Sequence, residues 1–228
     1  MFLILIIILF IIFFLIESDR TYIIPHSIYS YYIQFFPKQI LYGIHNTLQR
    51  LIADKYIYTT DNKQLTKFLE KNKKSILKEF YKYRNQSQIM AHSTSAMLSK
   101  DKNYKYIFFK MENKLNKDNC SKFKSINNLL KCHPNIKTCF LSIMYNKKII
   151  PYHRGPYNGL LRYHYPLIVK PNSSYLEVMG NRLDYSSSFM FDDTYPHKFV
   201  KSDNSIRIVL ICDIENPYSL FHPHKLFY

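Results

Sequence analysis

From residue 104 onward the chain is mainly a succession of short segments in which apolar, aromatic or β-branched residues recur at every second position, and from 138 on no helical stretch separates them. This feature constrains the fold more than any other. A parallel sheet needs a crossover of a dozen or more residues, usually a helix, between successive strands, and there is no room for one here. Segments 104–110, 138–145, 148–152, 160–169, 174–179, 187–192 and 205–213 read as strands, separated by turn residues such as Pro171-Asn172-Ser173 and Gly180-Asn181. Upstream the period is helical. After a start signal at Thr60-Asp61, Leu65, Phe68, Leu69, Ile76 and Phe80 make one apolar stripe through about residue 83, opposite a solvated face of Lys67, Glu70, Lys71, Lys74 and Lys78. Residues 84–103 read as loop and Ser121 to Leu130 as a second short helix. The expected fold is mainly β with flanking α-helices, a jelly roll or barrel whose helices pack on one face.

The amino-terminal end sets a second constraint. Residues 2–16 are apolar without a break, slightly short of the roughly 17 to 20 residues that span a bilayer. No basic region precedes the run, and the flank Glu17-Ser18-Asp19-Arg20 offers no small-residue cleavage site. The reading is an uncleaved, single-pass signal anchor over residues 1–20, which makes a membrane an expected partner. An aromatic, partly helical connector follows over 21–60, and a domain over 61–228 with its β core at about 104–215. In the connector Ile33, Phe36, Ile40, Ile44, Leu48 and Leu51 recur at near-helical spacing, broken by Pro37. It suits either the membrane interface, given Tyr29, Tyr31 and Tyr32, or packing on the domain. Few charges flank the apolar run, so the positive-inside rule has little to count. Sequons at Asn85, Asn119 and Asn172 favour the lumenal side.

Composition narrows the function classes. Lys and Arg total 32 against 16 Asp and Glu, a net charge of +16, but the lysines are scattered, with no run denser than Lys71, Lys73, Lys74 and Lys78. No specific nucleic-acid partner is expected from so diffuse a charge. The hydrophobic share of 47% excludes wholesale disorder. Four cysteines without a C-x-x-C spacing argue against structural zinc. Cys120 and Cys132 flank the short helix and are the pair that an oxidising compartment could join.

Polar residues stand where a β core should be apolar. His153 ends a short strand before Arg154-Gly155-Pro156. Arg162 and His164 lie two apart and share a face. His197 follows Phe191-Asp192-Asp193, and Arg207 sits in a strand with Val209 and Ile211 on its face. Burying these groups is costly without partners. In order and spacing, His153-Arg-Gly-Pro-Tyr-Asn158-x-x-Leu-Arg162-x-His164, then Phe191-Asp-Asp193-x-x-x-His197, then Arg207, this region resembles the aspartyl/asparaginyl β-hydroxylase family of iron- and 2-oxoglutarate-dependent oxygenases, across roughly residues 104–220. The Phe140-Leu-Ser142-Ile strand and the trailing Asp213-Ile-x-x-Pro217 also fit.

The resemblance implies a double-stranded β-helix that binds Fe(II), 2-oxoglutarate and O2 and hydroxylates an unactivated carbon. His153 and His197 are then the two metal ligands. A two-His-one-carboxylate triad would place its acid two residues after the first His. Gly155 occupies that position, as expected for this family, with water in the acid's place. Asp193 is then the catalytic carboxylate that orients this water or His197, although a turn-capping Asp is an equal reading of it. Arg207 grips the cosubstrate's far carboxylate, Ser142 shares it, and Arg162 and His164 line the same pocket, while Pro156 and Asn158 shape the loop. The substrate stays open between peptidyl Asp or Asn, first on the family's name and hydroxylated at the β-carbon, and the acyl chain of a lipid, which suits a short chain with an anchor and no repeat domain. Outside this resemblance stand a non-catalytic relic of the fold, a zinc site using His153, His197 and a Cys, and a charge-driven nucleic-acid binder.

Overall fold

The computed structural model describes residues 4–11, 44–50, 58–59, 62–86, 103–155 and 159–219. The expectations for most of the connector, for residues 87–102 and for Pro156 and Asn158 lie outside these. The strands are β1 (Tyr58–Thr59), β2 (Tyr104–Met111), β3 (Lys114–Leu115), β4 (Ile136–Met144), β5 (Lys148–His153), β6 (Leu160–Ile168), β7 (Ser174–Val178), β8 (Asn181–Asp184), β9 (Phe189–Phe191), β10 (His197–Lys201) and β11 (Arg207–Glu215). The helices are α1 (Lys63–Tyr83), α2 (Lys117–Lys122) and α3 (Lys124–Cys132), and residues 44–50 are also helical.

Two antiparallel sheets face each other. One runs β1-β9-β6-β11-β4-β2-β3 and the other β5-β10-β7-β8. From β4 onward the chain crosses between them: β4 in the first, β5 in the second, β6 in the first, β7 and β8 in the second, β9 in the first, β10 in the second, β11 in the first. That is the jelly-roll winding of a double-stranded β-helix. Alternation along the strands sorts two cores. Ile107, Cys139, Leu141, Tyr163, Leu210 and Cys212 face the helices, with Leu65, Leu69, Ile76 and Phe80 of α1. Tyr106, Phe108, Phe140, Phe191, Val209 and Ile211 face the second sheet and meet Leu176, Val178, Tyr185 and Phe199.

The helix boundaries have local causes. α1 starts one residue beyond the Thr60-Asp61 signal, because the Asn62 side chain accepts the Leu65 amide at 3.1 Å. The single short helix expected at 121–130 is two, split at Phe123, whose ring is buried against Phe109 at 4.9 Å between centroids. Phe123 supplies no side-chain cap to α3. Glu79 of α1 does so instead, accepting from the Ser125 amide at 3.1 Å and from its hydroxyl at 3.1 Å.

Several expectations need correction. β10 and β8 are strands that periodicity did not pick out. On β10 the inward positions are His197, Phe199 and Lys201, so two of three are polar and the apolar alternation is hidden. Lys201 is fully buried because its ammonium is tied to Asp203, at 2.8 Å to Oδ1 and 2.5 Å to the carbonyl. β8 is an exposed edge of Asn181, Arg182, Leu183 and Asp184. Cys120 and Cys132 are not joined: Cys120 is buried and Cys132 exposed. The close thiols are Cys139 and Cys212, cross-strand partners with sulfurs 3.7 Å apart on the helix-facing side. The Asn119 sequon is closed, since that amide is fully buried and donates to the Phe108 carbonyl at 2.7 Å. Residues 4–11 are helical and exposed, and among the described residues no helix is long and apolar enough to cross a membrane.

Candidate active site

The site lies where β5, β6, β9, β10 and β11 converge at one end of the jelly roll. β5 and β10 pair antiparallel with His153 opposite His197, and the two imidazole centroids are 4.1 Å apart. Each ring is oriented by the same local device. Nδ1 of His153 meets the Pro151 carbonyl at 2.8 Å, and Nδ1 of His197 meets the Tyr195 carbonyl at 2.8 Å. A carbonyl can only accept, so Nδ1 carries the proton in both and Nε2 keeps its lone pair. Burial, first of all, pushes the pKa of His153 below and of His197 well below the ordinary histidine value, and the cation of Arg162 acts in the same direction on each. Two neutral rings with free Nε2 donors are what a divalent transition metal requires of imidazole.

The third corner is built across strands. Gly155 follows His153 by two residues, and a Cβ there would lie 2.0 Å from Asp193 Oδ1 and 2.2 Å from its Cγ. The Asp193 carboxylate therefore fills the space that a side chain at 155 would need. It is held there from two sides: its carbonyl accepts the Gly155 amide at 2.6 Å, and its Oδ2 pairs with Arg162 at 2.8 Å. Arg162 is itself fixed by Asp213, its cross-strand neighbour on β11, through Nε at 2.7 Å and Nη2 at 3.1 Å. Among the described residues no group of three or more His, Cys, Asp or Glu is arranged to hold a metal. The geometry is that of a two-imidazole site with a carboxylate close by and already paired.

Deeper between the two sheets the surroundings are aromatic and cationic. Arg207 is 2% exposed, and its guanidinium carbon lies 4.2 and 4.5 Å from the ring centroids of Tyr185 and Phe199, which are set edge-to-face to each other. Its Nη1 donates weakly to Ser142 at 3.4 Å, and its Nε has no partner. Among the described residues no carboxylate pairs with it. His164 is enclosed by Phe189, Phe191 and Tyr185, with Nδ1 2.9 Å from the Tyr185 hydroxyl and Nε2 unpartnered. Burial and then the Arg207 charge keep it neutral. A buried guanidinium without a counter-charge, next to orphaned polar atoms, is an anion site. The donor set fits a small dicarboxylate at Arg207 and Ser142, and a metal at His153 and His197.

The seven site residues singled out in the sequence are thus spread along the barrel, from Arg162, beside Asp213 near one end of β11, to Arg207 at its other end. Five are buried, and His153 and Arg162 are partly exposed, Arg162 bridging Asp193 and Asp213. Sequence reasoning missed Tyr185 and Asp213. Tyr185 follows an exposed strand and has the look of a turn residue. Asp213 was noted only as part of a trailing motif, although its position six residues after Arg207, on the same face of one strand, is a signal that could have paired it with Arg162.

The fold is a double-stranded β-helix that carries two adjacent neutral imidazoles and a buried arginine. Residues 70–217 match the family model described as Aspartyl/Asparaginyl beta-hydroxylase, and the chain belongs to this family of hydroxylases. Over 88 residues it is 36% identical to the ornithine lipid ester-linked acyl 2-hydroxylase of Rhizobium tropici, a match covering 37% of this chain and 31% of that protein. The chain thus spans about a third of the length of this curated relative. Among solved structures it is similar to an oxidoreductase of the 2OG-Fe(II) oxygenase family from Burkholderia pseudomallei, with 10% identity, 69% of this chain and 93% of that one covered and a TM-score of 0.45. It is also similar to a prolyl hydroxylase from Trichoplax adhaerens, with 12% identity, 87% and 95% covered and a TM-score of 0.46.

Proposed function

We propose that the chain is an Fe(II)- and 2-oxoglutarate-dependent hydroxylase acting on the acyl chain of a membrane lipid. The observation that carries the oxygenase reading is the pairing of a two-imidazole corner with a buried guanidinium that lacks a carboxylate. Support for the lipid comes from the name of the Rhizobium tropici relative and from the apolar run at residues 2–16, which we take as part of an anchor over 1–20. The peptidyl Asp or Asn substrate first expected rests on the family's name alone.

In this reading His153 and His197 hold the iron, which supplies oxidation of a C–H bond by O2 with loss of CO2 from the keto acid. Arg207 and Ser142 bind the far carboxylate of that acid, the guanidinium by paired hydrogen bonds. Tyr185 and Phe199, set edge-to-face, pack against the guanidinium and restrict its orientation. His164 stays neutral and offers Nε2 to the pocket as an acceptor or, in its other tautomer, as a donor. Arg162 holds Asp193 and thereby positions it rather than binding the cosubstrate directly. Asp193 accepts hydrogen bonds from water near the imidazoles. The aromatic inner core excludes bulk water.

The test is an anaerobic titration of the full chain in detergent with Fe(II) and 2-oxoglutarate, read as the visible charge-transfer band of a chelated keto acid. The band appears in the wild type, is lost in His197→Ala and weakens in Arg207→Ala. Its absence from folded wild-type protein overturns the oxygenase reading. Succinate production is then compared with acylated amino lipids and with Asp- or Asn-containing peptides. Stimulation by the peptides alone restores the peptidyl substrate and refutes the lipid.

A further inference from the structure

We infer that Arg50, in the connector ahead of the β domain, is a positioning residue for the active site: it fixes the Asp192–Tyr195 turn that presents Asp193 and leads into His197. Helix 44–50 lies 144 residues upstream of that turn, yet Arg50 makes three contacts with it. Nη2 donates to Thr194 Oγ1 at 2.6 Å, Nη1 is 3.6 Å from Asp192 Oδ2, and the guanidinium carbon sits 3.7 Å from the Tyr195 ring centroid. The turn is also braced from within, since Asp192 Oδ1 accepts the Thr194 amide at 2.9 Å and its hydroxyl at 2.6 Å. Both members of the ion pair are buried, with side chains 7% and 6% exposed.

The arrangement divides two adjacent carboxylates between two arginines. Asp192 turns outward to Arg50, and Asp193 turns inward to Arg162. Without Arg50, a buried Asp192 charge has no cation of its own and stands next to Asp193, so the two compete for Arg162 and the turn loses its outer tie. Arg50 is not needed merely to dock its own helix. That helix has separate fastenings, His45 Nε2 to Ser219 Oγ at 2.9 Å and Gln49 Nε2 to the Tyr218 carbonyl at 3.0 Å. A lysine replacement keeps the charge but loses the fork that reaches Thr194 and the flat face that stacks on Tyr195.

The inference uses the hydroxylase reading only for its metal arm. Full-length wild type, Arg50→Gln and Arg50→Lys are compared by hydrogen exchange of the amides at 189–200, with α1 as internal control, and by Co(II) affinity from visible absorption. In Arg50→Gln, exchange at 189–200 rises about tenfold while α1 is unchanged, and Co(II) binds about tenfold more weakly. Arg50→Lys falls between. Unchanged exchange at 189–200, or equal acceleration in α1, overturns the inference. If Arg50→Gln does not fold, Thr194→Val, which removes the acceptor and leaves the charge, is read by the same two measurements and the same criteria. If the wild type binds no Co(II), the metal reading falls, and the exchange comparison alone decides the role of Arg50.

Discussion

Substituting Gly155 by alanine adds one methyl group, and the structure says where it must go. The new Cβ lies 2.0 to 2.4 Å from three atoms of the Asp193 carboxylate, well inside van der Waals contact. The φ of Gly155 is outside the left-handed region, so the penalty is spatial and not conformational. Asp193 cannot simply swing aside, because it is 5% exposed and its Oδ2 is paired with Arg162 at 2.8 Å. Overpacking of this kind costs about 1–3 kcal/mol, and breaking the Arg162 pair adds to it, up to the roughly 3–5 kcal/mol seen when a buried pair loses a partner. Arg162 keeps Asp213, which moderates that addition, so we expect a total of about 2–4 kcal/mol. The decisive measurement is a double-mutant cycle by urea unfolding of the metal-free full chain. Gly155→Ala and Asp193→Gly each destabilise, but the double variant is more stable than the sum of the two by about 1–3 kcal/mol, because removing the carboxylate vacates the space the methyl needs. Strict additivity, or a Gly155→Ala variant as stable as the wild type, would show that the carboxylate does not occupy that space, and with it the account of why glycine stands at 155 would fail.

The same reasoning reaches other groups. In the metal-free protein His164 and His197 stay neutral well below the ordinary histidine value, chiefly through burial, so the unfolded chain takes up their protons first and stability falls as pH drops below about 6.5. Asp192 has the opposite sign: burial pushes it up to about 7, so between about 4 and 7 it favours the folded state as pH falls. His153 is shifted in the same direction as the other two histidines, so three histidines stand against one carboxyl and stability falls on balance as pH drops. Asp192→Asn should steepen that slope in urea midpoints taken against pH, and an unchanged slope contradicts the assignment. Arg207→Met removes a buried cation that no carboxylate offsets, so the unfolding midpoint should hold or rise, by as much as about 1–4 kcal/mol, while 2-oxoglutarate binding by calorimetry is lost; a large destabilisation would mean the cation has an internal counter-charge. Glu79→Ala leaves the start of α3 uncapped and should cost about 1–2 kcal/mol in thermal or chemical unfolding, whereas Glu70→Ala, on the solvated face of α1, should cost little.

What the sequence made legible, and what it hid, follows from which interactions are periodic. The stripe of α1 and the apolar, β-branched and aromatic runs of β4, β6 and β11 are local patterns repeated over many residues, so they emerge without knowledge of the fold. The polar residues out of pattern within β6 and β11, at 162, 164 and 207, are legible for the converse reason: each interrupts an apolar strand whose burial would otherwise exclude it. β10 defeated the same logic, because His197 and Lys201 break a strand of only five residues, and too little pattern remains to be broken. Its lysine is buried only because Asp203 turns back on it, a contact visible in three dimensions alone. The links between Arg50 and the 192–195 turn, and between Gly155 and Asp193, are likewise pairings across 144 and 38 positions for which a single sequence has no spacing rule. The chemistry-bearing residues could therefore be named from their misfit to pattern, while the residues that aim them had to be found from packing. If that division holds, substitutions at Arg50, Asp192 and Asp213 should resemble one another: each should leave the unloaded fold largely cooperative and weaken metal or keto-acid binding by moving Asp193. A variant among them that binds both like the wild type would separate that residue from the network and restrict the positioning role to the other two.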